Sequence, residues 1–171
     1  AGITPMAANI TPIKDANLPY FILVGHELRE EEDFDFNFGF WLTSDPNDNA
    51  STGLWEIGVP IGSFSDPNDP STIVQTDDDH TPGGDICAFT GNASSSISGI
   101  GENDIDDGHT TLYSPIYNLS NYNNPAFSYW RWYTNSPPSG ANPGADWWQV
   151  MITDDGVNWH YVENNISSDI S

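Results

Sequence analysis

Between Val74 and Ser120 the chain carries two knots of oxygen donors, Asp77-Asp78-Asp79-His80 and Glu102-Asn103-Asp104-Ile105-Asp106-Asp107-Gly108, each set among Gly or Pro and followed by a short apolar run. Carboxylates crowded in this way repel one another by about 1–4 kcal/mol per pair at about 4 Å, unless water or a cation lies between them. Hard oxygen donors on a flexible loop are the ligands that calcium takes. The stretch therefore reads as a loop region pinned by Ca2+ on a β scaffold. Asp77, Asp78 and Asp79 are candidate ligands in one loop, and Asn103, Asp104 and Asp106 in the other. Zinc fits poorly: His26, His80, His109, His160 and Cys87 form neither a His-Glu-x-x-His pattern nor a cysteine pair.

The acidity is global as well as local. Against 25 acidic residues stand only Lys14, Arg29 and Arg131, a formal net charge of −22. Such a surface repels nucleic-acid phosphates and anionic lipid, so neither is an expected partner. It also repels itself, and divalent cations that bind the folded state would relieve that. Seven Trp, seven Tyr and eight Phe carry too much aromatic surface for a disordered polyelectrolyte. A chain of 171 residues suits one domain. Cys87 is alone, so no disulfide framework forms within the chain and a metal is the expected staple. The longest apolar run, Tyr20–Val24, is far too short to span a bilayer. Abundant Asn, Asp, Ser, Thr and Trp with one Lys point to a secreted or cell-surface protein, and an opening without Met or an apolar leader fits a mature or trimmed chain.

Taken in order, residues 1–19 hold three prolines and no helical period, and read as extended. Tyr20, Phe21, Ile22, Leu23 and Val24 read as a strand buried on both faces. Phe34, Phe36, Phe38 and Phe40 alternate with polar residues, which predicts a strand with its aromatics on one face. Two loops of like sequence, Ser44-Asp45-Pro46-Asn47-Asp48 and Ser65-Asp66-Pro67-Asn68-Asp69, are turn formers on either side of Gly53–Pro60. Strands are predicted over Thr110–Leu119 and Ala126–Tyr133, and a hairpin over Trp147–Glu163 around the Asp155-Gly156 pair. No segment has a convincing amphipathic helix. Short strands separated by Pro and Gly turns predict an all-β, jelly-roll-like sandwich.

A set of ordered motifs resembles the calcium-dependent jelly-roll domains, the cleaved-adhesin and MAM-like modules, of bacterial secreted proteins. They are Thr52-Gly53-Leu54-Trp55-Glu56, Gln75–Pro82, Thr90-Gly91-Asn92, Asn103-Asp104-Ile105-Asp106 leading into Thr110–Pro115, Ser128-Tyr129-Trp130-Arg131-Trp132, and Asp154-Asp155-Gly156 with Trp159. The resemblance implies a sandwich over residues 29–171, and it implies that Glu31 or Asp33 joins a calcium ion. Such domains begin near the Asp33 strand and run on past the Trp159 strand, so residues 1–28 are extra and the sandwich is short of strands. An extended N-terminal segment, its own or a neighbour's, is expected to fill that gap as a donor strand.

No catalytic arrangement emerges. There is no Gly-x-Ser-x-Gly elbow, and Cys87 within Ile86-Cys87-Ala88-Phe89 reads as a small core residue. A non-enzymatic protein is expected: a structural or adhesive subunit of an extracellular assembly, a filament built from sandwiches joined through Tyr20–Val24. The alternative is a carbohydrate-binding or adhesion module of a larger secreted protein, with Trp130, Trp132 and Trp148 stacking on sugar rings. Asn9, Asn49, Asn92, Asn118 and Asn165 head Asn-x-Ser/Thr triplets open to N-glycosylation.

Overall fold

Asp155-Gly156 turns the chain as its sequence predicts. Asp155 Oδ1 accepts from Val157 N at 2.8 Å and from Asn158 N at 2.7 Å, and Gly156 takes φ +74°. A side-chain oxygen that satisfies two backbone donors substitutes for a backbone turn, and the glycine makes the left-handed step without strain. The strands that this turn joins, β5 (Trp148–Ile152) and β6 (His160–Asn165), pair antiparallel from Trp148↔Asn165 to Ile152↔His160, with a bulge at Val150/Met151.

The computed structural model describes residues 32–35, 40–66, 68–98, 101–135 and 144–165. Among these the regular structure is all β apart from the short 3-10 turn Pro70–Thr72. Strand β1 (Glu56–Gly58) pairs antiparallel with β4 (Cys87–Phe89), and β2 (Ser63–Phe64) with β3 (Ile73–Gln75). With the β5–β6 hairpin this makes three separate two-stranded sheets. No helix among the described residues is long and apolar enough to cross a membrane.

Two predicted strands take another form. Thr110–Leu119 contributes a single antiparallel bridge, Leu42↔Tyr113, with N–H···O distances of 3.0 and 2.8 Å. Ala126–Tyr133 joins no ladder. Side chains tether it instead: Arg131 holds Glu163 of β6 at 3.1 and 3.3 Å, Tyr129 OH donates to the same carboxylate, and Trp132 Nε1 donates to Val74 O of β3 at 3.0 Å. The alternating aromatics at 34–40 also break from a strand where they are described. Phe34 and Phe40 have φ of +63° and +64°. The acids beside them explain the first: Glu32 Oε1 accepts from Phe34 N at 2.8 Å and Asp33 Oδ1 from Asp35 N at 3.2 Å, local bonds that compete with a ladder. Phe36, Phe38 and the Tyr20–Val24 strand lie outside the described residues.

Packing is by aromatic edges rather than a deep core. Ala93, 5% exposed, is the one buried member of the hydrophobic set among the described residues. Trp148 of β5 stands near the centre of what packing there is, with ring centroids 6.2 Å from Trp55 and 5.7 Å from Tyr133. Such pairs contribute about 0.5–1.5 kcal/mol each beyond area burial. Tyr113 meets Trp159 at 5.8 Å and Tyr117 meets Phe127 at 5.7 Å. Meanwhile Phe127, Tyr129, Trp147, Met151, Ile152, Tyr161 and Val162 stay exposed, all on the hairpin or the segments tethered to it.

The two like loops are built alike and used differently. In each, the first Asp accepts from the Asn two residues on, Asp45 from Asn47 N at 2.8 Å and Asp66 from Asn68 N at 2.9 Å. The last Asp of the first loop reaches across the fold: Asp48 accepts from Thr111 N at 3.0 Å and Thr111 Oγ1 at 2.6 Å, while Asp45 Oδ2 accepts from Tyr113 OH at 2.8 Å. The last Asp of the second loop, Asp69, caps its own 3-10 turn through Ser71 N at 2.9 Å. The first loop thereby anchors the segment that leads out of the acidic stretch.

Candidate metal centres

The loop that holds Asp104 and Asp106 is clasped by the Ser-Thr-Gly run ahead of β1. Thr52 Oγ1 donates to Asp104 O at 2.7 Å and Ser51 N to Asp106 O at 2.9 Å. Gly53 sits so close that a Cβ there would lie 2.6 Å from Asp104 C and from Ile105 N. The clasp fixes the backbone of the Asp-Ile-Asp run and leaves both carboxylates to their surroundings.

Those surroundings include a third acid. Asn135, 3% exposed, is tied to Asp146 by donating from Nδ2 to Asp146 O at 2.6 Å and accepting from Asp146 N at 3.0 Å. Asp146 is thereby brought within electrostatic reach of the clasped loop. Burial, then the charges of Asp106 and Asp146, pushes the Asp104 carboxyl above its ordinary range. Burial and then Asp106 do the same to Asp146. Asp104 and Asp146 thus both lie in the field of Asp106, which makes this side of the clasped loop locally negative.

A second convergence surrounds Gly84. A Cβ built there would stand 2.6 Å from Asp35 Oδ2 and 2.9 Å from Asp79 Oδ2, so glycine makes room for two carboxylates. Asp79 Oδ1 is buried and makes no hydrogen bond among the described residues. Desolvation first, with Asp35 and Asp78 adding charge, raises the Asp79 carboxyl. An orphaned buried carboxylate oxygen beside a second carboxylate fits a hard cation in its donor chemistry. As placed, however, no three His, Cys, Asp or Glu side chains among the described residues converge on one point.

The predicted ligands thus divide. Asp104 and Asp106 share the clasped loop and act on each other through charge, and Asp79 lies with Asp35 beside Gly84, whereas Asp33 Oδ1 is bonded to Asp35 N at 3.2 Å. Asp78 Oδ1 accepts from Asp79 N at 3.0 Å, Asp77 Cβ approaches the Gly62 position, and Asn103 Nδ2 donates to Asn92 O at 3.3 Å. Glu31 lies outside the described residues. Asp35 and Asp146 were missed from the sequence. Asp35 hid in the alternating aromatic run, and Asp146 follows a Pro- and Gly-rich loop with nothing local to connect it to a residue forty positions earlier.

The remaining candidates are placed as follows. Trp130 and Trp132 are 51% and 47% exposed, and the His80 ring stacks on Trp130 at 3.6 Å and 11°. Trp148 is half-buried among Trp55 and Tyr133. Cys87 is half-buried on β4; burial, then the Asp79 and Asp78 charges, pushes its thiol up to about 11. It is protonated at neutral pH and a poor nucleophile there. No family profile, no curated protein and no solved structure matches the chain.

Proposed function

We propose that the chain is a non-enzymatic β-module of a secreted or cell-surface protein. In this reading it is a calcium-stabilised, jelly-roll-like sandwich that completes itself by association, through Tyr20–Val24, into a structural or adhesive assembly such as a filament. The observation that carries the reading is the exposed apolar surface on and around the β5–β6 hairpin, Trp147, Met151, Ile152, Tyr161 and Val162 with Phe127 and Tyr129 beside them. Exposed apolar side chains gathered on one hairpin and the segments tethered to it suit an interaction surface. The outer edges of β5 and β6 have no ladder partner among the described residues, which suits the addition of a strand. Calcium supports the reading in two ways: it would neutralise the clustered acids, and it would lower the self-repulsion of a chain at −22. An ion at the first cluster would have to draw Asp104, Asp106 and Asp146 together, and one at the second would take Asp35 and Asp79 with nearby backbone oxygens.

The test is hydrodynamic. In calcium, the full chain is expected to sediment as a multi-copy species, and removal of residues 1–24 should leave monomers. A full chain that is monomeric at tens of micromolar, or a shortened chain that assembles unchanged, rejects self-association through that segment.

A glycan-binding reading is favoured by one feature, the exposed pair Trp130 and Trp132, beside the His80 ring. Aromatic faces of this kind stack on sugar rings. The check is a glycan array with Trp130→Ala and Trp132→Ala. Retention of a defined glycan that falls at least about tenfold in either variant, equivalent to about 1.4 kcal/mol, supports it; no glycan retained by the parent chain rejects it.

A further inference from the structure

Three of the Asn-x-Ser triplets, at Asn49, Asn92 and Asn118, have their side chains among the described residues, and the fold treats them differently. At Asn49 the carboxamide oxygen accepts from His109 N at 3.1 Å, while the Ser51 hydroxyl donates to Asp106 O at 3.3 Å. Both partners lie more than fifty positions away in the chain. Gly108 packs so tightly here that a Cβ on it would come within 2.5 Å of Asn49 Oδ1. At Asn92, half-buried, the carboxamide oxygen accepts from Ile61 N at 2.8 Å, and the Ser94 hydroxyl lies 3.1 Å from Ser98 Oγ. The residue between them is the buried Ala93.

Asn118 is arranged otherwise. Like Asn49 it is exposed, but its carboxamide oxygen accepts only from its own triplet, from Ser120 N at 3.1 Å and from Ser120 Oγ at 2.8 Å. The amide and the hydroxyl that define the triplet face each other in one Asx turn, and a second turn, Tyr122 N to Leu119 O at 3.1 Å, follows at once. The chain from Ser120 to Trp130 is exposed throughout.

We infer that Asn118 is an N-glycan acceptor site of the folded chain and that the fold closes Asn49 and Asn92 to the same modification. In the reaction, Asn118 Nδ2 attacks C1 of a lipid-linked oligosaccharyl diphosphate. A C1–N bond forms, the C1–O bond to phosphate breaks, one amide proton is lost to solvent, and the lipid diphosphate departs with the bonding electron pair. A transferase must hold the amide and the hydroxyl together. At Asn118 this exchanges two bonds between residues two positions apart. At Asn49 it breaks two bonds to the segment around residues 106–109, and at Asn92 it breaks the part-buried bond to Ile61 N, whose donor is then left without its partner at a cost. The inference depends neither on calcium nor on self-association.

The experiment treats the purified folded chain with a single-subunit oligosaccharyltransferase that reads Asn-x-Ser/Thr and a lipid-linked oligosaccharide, with occupancy of each asparagine read by mass spectrometry. Synthetic peptides spanning the three triplets serve as the unfolded reference. In the folded chain the initial rate at Asn118 should exceed those at Asn49 and Asn92 by at least about tenfold, while the three peptides agree within about threefold. Comparable rates at the three sites in the folded chain overturn the inference, as does an unmodified Asn118 in the folded chain. So does a ranking among the peptides that matches the folded chain, because local sequence and not the fold would then set it.

Discussion

Gly53→Ala is expected to lower stability by about 2–4 kcal/mol, close to 5–15 °C in Tm for a domain of this size. Two costs combine. Gly53 has φ +65°, a left-handed conformation in which a Cβ costs about 1 kcal/mol. In addition, that Cβ would stand 2.6 Å from Asp104 C and Ile105 N and 2.7 Å from Asp104 O. These are backbone atoms, so no side chain can swing aside, and the clasped Asp104–Asp106 loop must move as a unit. Overpacking of this sort costs about 1–3 kcal/mol. Gly156→Ala is the control, because Gly156 has φ +74° but nothing within 4 Å of its would-be Cβ. It should lose only the conformational part. Thermal unfolding followed by tryptophan fluorescence distinguishes them; equal losses in the two variants would remove the steric argument and with it the clasp.

How far the fold and the candidate site were legible depends on the range of the forces involved. Asp155-Gly156 foretold its hairpin because an Asx turn and a left-handed glycine act within four residues. The like loops at Asp45 and Asp66 were legible as turns for the same reason, yet nothing local said that Asp48 would reach Thr111 while Asp69 would cap its own turn. Alternation at 126–133 marked a segment with two chemically different faces, but a ladder needs a partner at the right register. Here the Arg131–Glu163 pair and the Trp132–Val74 bond take its place. The acids were legible as a class and not as a set. Asp104 and Asp106 stand two residues apart and share one loop wherever that loop goes. Asp146 acts on Asp104 from a position fixed by Asn135, and Asp35 lies beside Asp79 only because residue 84 lacks a side chain. At 34–40 the period-two pattern was real in composition, and it lost at Phe34 to carboxylates that bond the backbone two residues on.

Calcium should raise Tm by about 5–10 °C for each site filled, read at free calcium about a hundredfold above Kd, where binding adds about 2.7 kcal/mol. The pH dependence makes this specific. Asp79, Asp104 and Asp146 have carboxyls raised by desolvation first and by neighbouring acids second. In chelator the native state therefore holds protons that the unfolded chain has released above about pH 3.9. The stability that these three supply is full below that point and is lost as pH rises through their raised folded values. A bound cation reverses the sign, because it favours the ionised carboxylates and must displace protons to bind. Asp45, Asp69, Glu102 and Asp155 are instead held low by hydrogen bonds, and their stabilisation is lost as pH falls below the ordinary carboxylate range. That loss occurs with or without calcium, so subtracting the chelator curve from the calcium curve cancels it. The difference in Tm should be smallest near pH 4 and climb as pH rises through the raised folded values of these carboxyls. Asp104→Asn and Asp79→Asn should each flatten part of the climb, since an amide removes charge and titration while keeping the side chain's shape. A difference curve that stays flat across this range would mean that the two acidic convergences hold no cation, and the stability of the fold would then have to come from the aromatic packing around Trp148 and from whatever covers the β5–β6 hairpin.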